Sequence, residues 1–291
     1  MPELPEVEVT RRRIAPLLVG RRIRQVVTTA DSYLFLTRPG SLRRGLVGRL
    51  VEGLERHGKY LLAGLDGGSR LVVHLGMTGQ LFASGASSVR LLSATARSAL
   101  APEQQAHFEP DSHTHLQLRF EDGGPEVFLR DVRKFGKVLL LASGESHPRL
   151  ERLGVDALEV EGEMLFSSTR RRSVAVKSLL LDQSVLTGVG NIYADEALHR
   201  AGVRPTRRAS RVTRRECGAL AREIRRVLQR SIETGGSSIR DFVAPDGSDG
   251  GFQDERRVYG RTGEPCPACE KPIRRIVVGA RGTHYCPGCQ K

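Results

Sequence analysis

Four of the five cysteines lie near the C-terminal end as Cys266-x2-Cys269 and Cys286-x2-Cys289, with sixteen residues between the pairs. Two such knuckles offer four thiolates to one tetrahedral Zn2+ at about 2.3 Å, and only if the chain between them doubles back. Ile273 to Val278, then Gly279-Ala280-Arg281-Gly282, then Thr283 to Tyr285 supply the arms and turn of a β-hairpin tipped by Arg281. A closed four-cysteine set has no open coordination position, so the metal it holds is structural. A redox pair is the other chemistry open to Cys-x2-Cys. The tip arginine suits a phosphate contact or plain solvation.

The opening Met1-Pro2-Glu3-Leu4-Pro5-Glu6 has two acids and no apolar run, so it does not read as a signal peptide. The chain is expected in the cytoplasm, where disulfides are disfavoured. No stretch nears the roughly 18 apolar residues of a membrane span, so no membrane role is expected. Across 291 residues, 46 Lys and Arg face 33 Asp and Glu, a formal charge of +13, and 40 of those cations are arginine. Codon bias would explain the arginine share but not the net charge. Forked, weakly hydrated guanidinium groups suit nucleic-acid phosphates, and the sign selects a polyanionic partner.

The pattern along the chain predicts an α+β multidomain protein. Pro5 to Val19 reads as an amphipathic helix closed by Gly20, and Arg22 to about Ala142 as short apolar strands punctuated by turns such as Asp66-Gly67-Gly68 and Asp122-Gly123-Gly124. That is antiparallel β, an expected β-sandwich or a barrel-like pair of sheets, interrupted by an Ala/Ser-rich insert at 83–106. Beyond it the period turns helical. Thr213-x-x-Glu216 is a capping box for a helix burying Cys217, Leu220, Ala221, Ile224, Val227, Leu228 and Ser231, stopped by Gly235-Gly236. Cys217 there is a packing residue. A glycine-rich loop, Ser237 to Gln253, follows. The expected division is 1–142, a linker 143–150, a helical segment 151–254, and the four-cysteine hairpin 255–291.

Loss of Met1 would expose the ring amine of Pro2. A terminal amine with pKa about 7.8 is neutral at pH 7 roughly 400 times more often than a lysine, an upper bound for the more basic proline. It is a candidate nucleophile toward a sugar carbon, with Glu3 and Glu6 near enough to exchange protons. Attack at C1′ would give an iminium, and in so basic a chain the sugar would belong to DNA.

Met1 to Glu8, His74-Leu75-Gly76-Met77-Thr78-Gly79, Asp131-x-Arg133-Lys134-Phe135-Gly136, Asp182-Gln183 running into Gly188 to Glu196, and Val258-Tyr259-Gly260-Arg261 ahead of the cysteine hairpin stand in order along nearly the whole chain. Together they resemble the bacterial formamidopyrimidine-DNA glycosylase family. Leu4 sets the opening apart from the sibling endonuclease VIII, which usually has glycine there.

The resemblance implies a monomeric enzyme that excises oxidised purines, such as 8-oxoguanine and formamidopyrimidines, from double-stranded DNA and nicks the abasic strand by β,δ-elimination. It implies Pro2 as Schiff-base nucleophile, Glu3 as the neighbouring acid, Lys59 for β-elimination and Arg281 for δ-elimination and phosphate binding. Met77, Arg133 and Phe135 would fill the stack emptied by a flipped nucleotide. DNA contacts are implied for His74, His113, Arg172, Lys177 and Asn191, the last opening the second helix of a helix–two-turn–helix motif. The loop after Ser237 would cover the extruded base, and Cys266, Cys269, Cys286 and Cys289 would hold one structural Zn2+.

On the residues alone, Met77 and Phe135 suit a core equally well. Lys59 would snorkel from a strand of apolar neighbours. Arg170-Arg171-Arg172 suits a solvated face. Gly188-Val189-Gly190-Asn191 before a helix suits a phosphate. Two other functions stay open on the sequence: a sibling glycosylase for oxidised pyrimidines, and a zinc-ribbon DNA-binding protein without catalysis, which gives Pro2-Glu3 no role.

Overall fold

The computed structural model describes residues 2–86, 110–239 and 242–291, so most of the Ala/Ser-rich insert lies outside the described residues. The chain forms two compact units, Met1–His147 with Thr234–Gly251, and Pro148–Glu233 with Phe252–Lys291. Among the described residues no helix is long and apolar enough to cross a membrane.

In the first unit, α1 (Leu4–Leu18) starts where Glu6 turns its carboxylate back onto the Glu3 N–H at 2.8 Å, with Pro5 in the first turn, where no intrahelical donor is needed. Two antiparallel four-stranded sheets follow. One has the order β1 (Ile23–Thr28), β6 (Thr114–Phe120), β7 (Val127–Asp131), β5 (Gly79–Ala83); the other runs β2 (Val51–His57), β3 (Tyr60–Leu65), β4 (Arg70–His74), β8 (Lys137–Leu141). Ile23, Leu118 and Leu129 from one sheet meet Leu61, Val73 and Val138 from the other, with Val7 and Ile14 of α1, in a single core. This is the expected sandwich with its N-terminal helix. One helix is additional: α2 (Pro39–Leu46) stands where the sequence reads as strand and turn. Leu42 and Leu46, one helical turn apart, are fully buried and contribute about 2 kcal/mol each.

Residues 234–239 and 242–251, which in sequence fall inside the expected helical segment 151–254, fold instead with the first unit, against α1. Phe242 and Ala244 pack on Val9, and Arg13 pairs with Asp246 and Ser248. Contacts far apart in sequence, invisible to local pattern, place them there.

The second unit contains α3 (Pro148–Glu151), α4 (Gly162–Thr169), α5 (Val176–Leu181), α6 (Asn191–Arg200) and α7 (Arg214–Glu233), a short parallel pair β9 (Val155–Asp156) and β10 (Leu186–Thr187), and the hairpin β11 (Arg274–Val278) and β12 (Arg281–Tyr285). Thr213 and Glu216 cap α7 reciprocally at 2.9 and 3.3 Å, and the buried face is the expected one plus Ile232. Burial pushes the Cys217 thiol up, in keeping with a packing role. Between α5 and α6, Asp182 accepts the Ser184 N–H and hydroxyl, while Gln183 spans Val189 O and Gly188 N, folding the two turns of the motif.

Candidate active site and nucleic-acid interface

Pro2 and Glu3 are buried at the head of α1, Glu3 only 2 % exposed. Glu6, which the sequence offers as a proton carrier, is spent as a clamp: one oxygen takes the Glu3 N–H at 2.8 Å and the other the Ser237 N–H at 2.9 Å. Further along α1, Glu8 bonds Arg11 and Arg12 and reaches Arg56 of β2 at 3.2 Å, and Arg56 donates to Gly58 O at 3.1 Å. Burial would raise the pKa of Glu8, but those guanidinium groups hold it at about 2. Lys59 follows Gly58, not in a strand as the sequence reads but in the two-residue turn joining β2 and β3. Gly58 makes that turn with φ +57°, and Lys59 is 7 % exposed. Glu8 and Arg56 thus tie the helix of Pro2 to the turn of Lys59. His74 ends β4 with its ring 4.6 Å from Tyr60, and its Nδ1 accepts the Gly76 N–H at 3.1 Å, which puts the proton of the neutral ring on Nε2.

One fully buried carboxylate organises the segment beyond β7. Asp131 accepts the Thr78 hydroxyl at 2.5 Å, the Arg133 N–H at 3.3 Å and the Gly136 N–H at 2.7 Å. It therefore joins the Met77 turn to the Arg133–Phe135 loop. Gly76 permits this approach: a Cβ there would lie 2.5 Å from the Gly136 nitrogen. Arg133 is exposed and Phe135 is 42 % exposed, so Phe135 is not core, while Met77 is half-buried. His113 is held just ahead of β6 by its N–H on Asp111 at 3.0 Å, and Arg130 fixes that carboxylate at 2.8 and 2.9 Å.

In the second unit, α6 is a dock for the cysteine hairpin. The Asn191 amide donates to Gly282 O at 2.9 Å, Asp195 takes the His284 N–H at 2.8 Å, and Glu196 takes the N–H groups of Val258 and Tyr259 at 2.9 Å. Lys177 is 0 % exposed and pairs with Asp195 at 2.7 Å, donating also to the Thr283 hydroxyl at 2.8 Å and to Gly282 O at 3.2 Å. Lys177 is thus not a surface contact, as the sequence suggested; burial of its charge requires this paired, fully bonded setting. Arg281 is exposed at the start of β12, one residue past the Gly279-Ala280 turn. Arg170 is structural, donating to Val212 O at 2.6 Å, while Arg172 is exposed beside Asp182 at 3.4 Å. Sequence reading missed Asp131, Glu8 and Arg56 as organisers. The identity of such a residue in the sequence does not say which distant groups it holds.

The four cysteine sulfurs lie within 4.8 Å of one another, with Cys266 to Cys289 at 3.7 Å and Cys269 to Cys286 at 3.3 Å. Sulfurs on one tetrahedral Zn2+ stand about 3.8 Å apart, so the set fits a single structural ion with little adjustment. His199 of α6 places Nε2 3.4 Å from the Cys266 sulfur. Burial, with Arg257 nearby, pushes its pKa down to about 4.

A β-sandwich with a clamped amino end, followed in sequence by a helix–two-turn–helix and a zinc hairpin, defines a class of DNA glycosylase. Comparison with known proteins specifies it. Family models for the formamidopyrimidine-DNA glycosylase N-terminal domain, the formamidopyrimidine-DNA glycosylase H2TH domain and the zinc finger found in FPG and IleRS match residues 1–138, 153–243 and 263–291. Formamidopyrimidine-DNA glycosylase of Thioalkalivibrio sulfidiphilus is 44 % identical over 100 % of both chains. A Lactococcus lactis FPG mutant solved with Fapy-dG-containing DNA is 32 % identical with TM-score 0.85, covering 100 % of both chains. MutM in complex with carbocyclic 8-oxo-G-containing DNA is likewise 32 % identical, with TM-score 0.84 over 100 % of both. The chain belongs to the formamidopyrimidine-DNA glycosylase family.

Proposed function

We propose that this protein excises 8-oxoguanine and formamidopyrimidines from duplex DNA and then cleaves the abasic strand by β,δ-elimination, acting as a monomer in the cytoplasm on nucleoid DNA. The observation that carries the reading is the Glu6 clamp, which fixes the backbone beside Pro2 and holds the loop at Ser237 on the same carboxylate. With Met1 removed, the Pro2 nitrogen attacks C1′, the glycosidic bond breaks and the damaged base leaves. Glu3 protonates the ring oxygen as the C1′–O4′ bond opens, leaving an iminium between C1′ and the proline nitrogen. Loss of a C2′ proton then expels the 3′ phosphate, the step assigned to Lys59. Loss of a C4′ proton expels the 5′ phosphate, the step assigned to Arg281. Water frees the proline.

Residues 1–147 with 234–251 carry the Pro2, Glu3 and Lys59 steps, while 148–233 and 252–291 grip the duplex and supply Arg281. Met77, Arg133 and Phe135 fill the vacated stack, with the Arg133 guanidinium bonding the orphaned base. His74, His113, Arg172 and the positive end of α6 at Asn191 meet phosphates. Lys177 acts through the hairpin that bears Arg281. The test is borohydride reduction during incubation with a duplex carrying one 8-oxoguanine. A protein–DNA adduct mapped by mass spectrometry to residue 2 is expected; an adduct on Lys59, or none at all, would defeat the proposal.

A further inference from the structure

Tyr33, between β1 and α2, has no place in the chemistry above, yet its ring stands 56 % exposed beside the Arg133–Phe135 loop. Its hydroxyl donates to Arg133 O at 2.7 Å, its ring centroid lies 6.5 Å from that of Phe135, and the Lys137 ammonium stands 4.6 Å over its ring. At the far end of the same array the Arg133 guanidinium sits 4.5 Å over Phe135. The order is cation, ring, ring, cation, on the open surface of one unit. The hydroxyl is bonded to the loop backbone, beside Lys134, which holds a left-handed φ of +56°. A loop carrying that strain needs an external support, and Asp131 supplies it on the buried side only. Exposed rings flanked by cations suit unstacked bases and their phosphates.

We infer that Tyr33 is a further residue of the wedge, positioning Arg133 against the orphaned base through its backbone carbonyl and lending its own ring to a base of the strand opposite the lesion. It thereby sets how strictly the opposite base is read. This rests on the function proposed above, and the experiment separates the two. Wild type, Tyr33→Ala and Tyr33→Phe are compared on duplexes with cytosine or adenine opposite 8-oxoguanine, on a single-stranded abasic oligonucleotide, and on an abasic duplex with 2-aminopurine opposite the gap.

Tyr33→Ala should lose about tenfold in kcat/KM on the cytosine duplex, mostly through KM, should narrow the cytosine-to-adenine ratio, and should blunt the fluorescence rise on binding. Tyr33→Phe, which keeps the ring, should retain KM but narrow the ratio. Both should form the borohydride adduct on the single strand at the wild-type rate, which shows that the fold and the chemistry are intact. An unchanged ratio and fluorescence response in Tyr33→Ala would overturn the assignment while the function stands. A wild type that forms no adduct would overturn the function and this assignment with it.

Discussion

The Arg133–Phe135 loop and the α6 dock are built from the same materials to opposite ends. Each has one fully buried carboxylate at its centre, Asp131 in the first and Asp195 in the second. Asp131 spends its oxygens on backbone N–H groups and a hydroxyl, so the cation of its loop, Arg133, stays outside in solvent. Asp195 spends one oxygen on the Lys177 ammonium, so that cation is sealed inside. Basic residues of the motifs therefore divide into those left in solvent, such as Arg133, and those sealed against a carboxylate, such as Lys177, and burial, not charge, tells them apart.

The largest effect expected is on the hairpin itself. Cys269→Ser, or chelation of the metal, should unfold it, because binding of a structural Zn2+ supplies about 10 kcal/mol or more of folding energy. Zinc content and duplex affinity should fall together, the affinity by about 100-fold or more; unchanged affinity in a zinc-free protein would remove the hairpin from the interface.

Next in size, Lys177→Met should cost about 3–5 kcal/mol in urea unfolding, since it strands the Asp195 charge. Adding Asp195→Asn, which keeps an acceptor for the His284 N–H, should recover much of that loss. The salt dependence of duplex binding should keep its slope; a slope lower by about one would mean that Lys177 touches a phosphate after all and would erase the contrast.

Glu8 should come third. Its pKa in the folded chain, about 2, lies below the ordinary 4.5, so its contribution is full above pH 4.5 and is lost as pH falls toward 2. Glu8→Gln should cost about 3 kcal/mol at pH 7 and much less near pH 3, read from urea midpoints at the two pH values. The smallest change in stability belongs to Arg281→Ala, within about 0.5 kcal/mol, as for any exposed side chain. That variant should lower the salt slope by about one and leave more β- than δ-elimination product on gels.

Much of this architecture was legible because local chemistry sufficed. The Thr213-x-x-Glu216 box and the apolar stripe behind it needed no other part of the chain to define α7, and the cysteine spacing fixed the hairpin. The motif residues located the candidate site but not how its members work. Lys177 sits in an apolar helical run, and its partner Asp195 belongs to a different helix, so nothing nearby signals that the ammonium is buried. The Glu6 clamp depends on Ser237, more than two hundred residues away, and the same distance hid the attachment of 234–251 to α1. Leu42 and Leu46 of α2 offer only two periodic positions, too few to be told from strand residues by pattern.

Glu6 has one more consequence. Any movement of Ser237 away from α1 withdraws an N–H donor from the buried Glu6 carboxylate. The other oxygen of that carboxylate steadies the peptide next to Pro2, so such a movement would slacken the amino end. Order at the amino end and order at residue 237 would then rise and fall in step, with a single acidic side chain as the mechanical linkage.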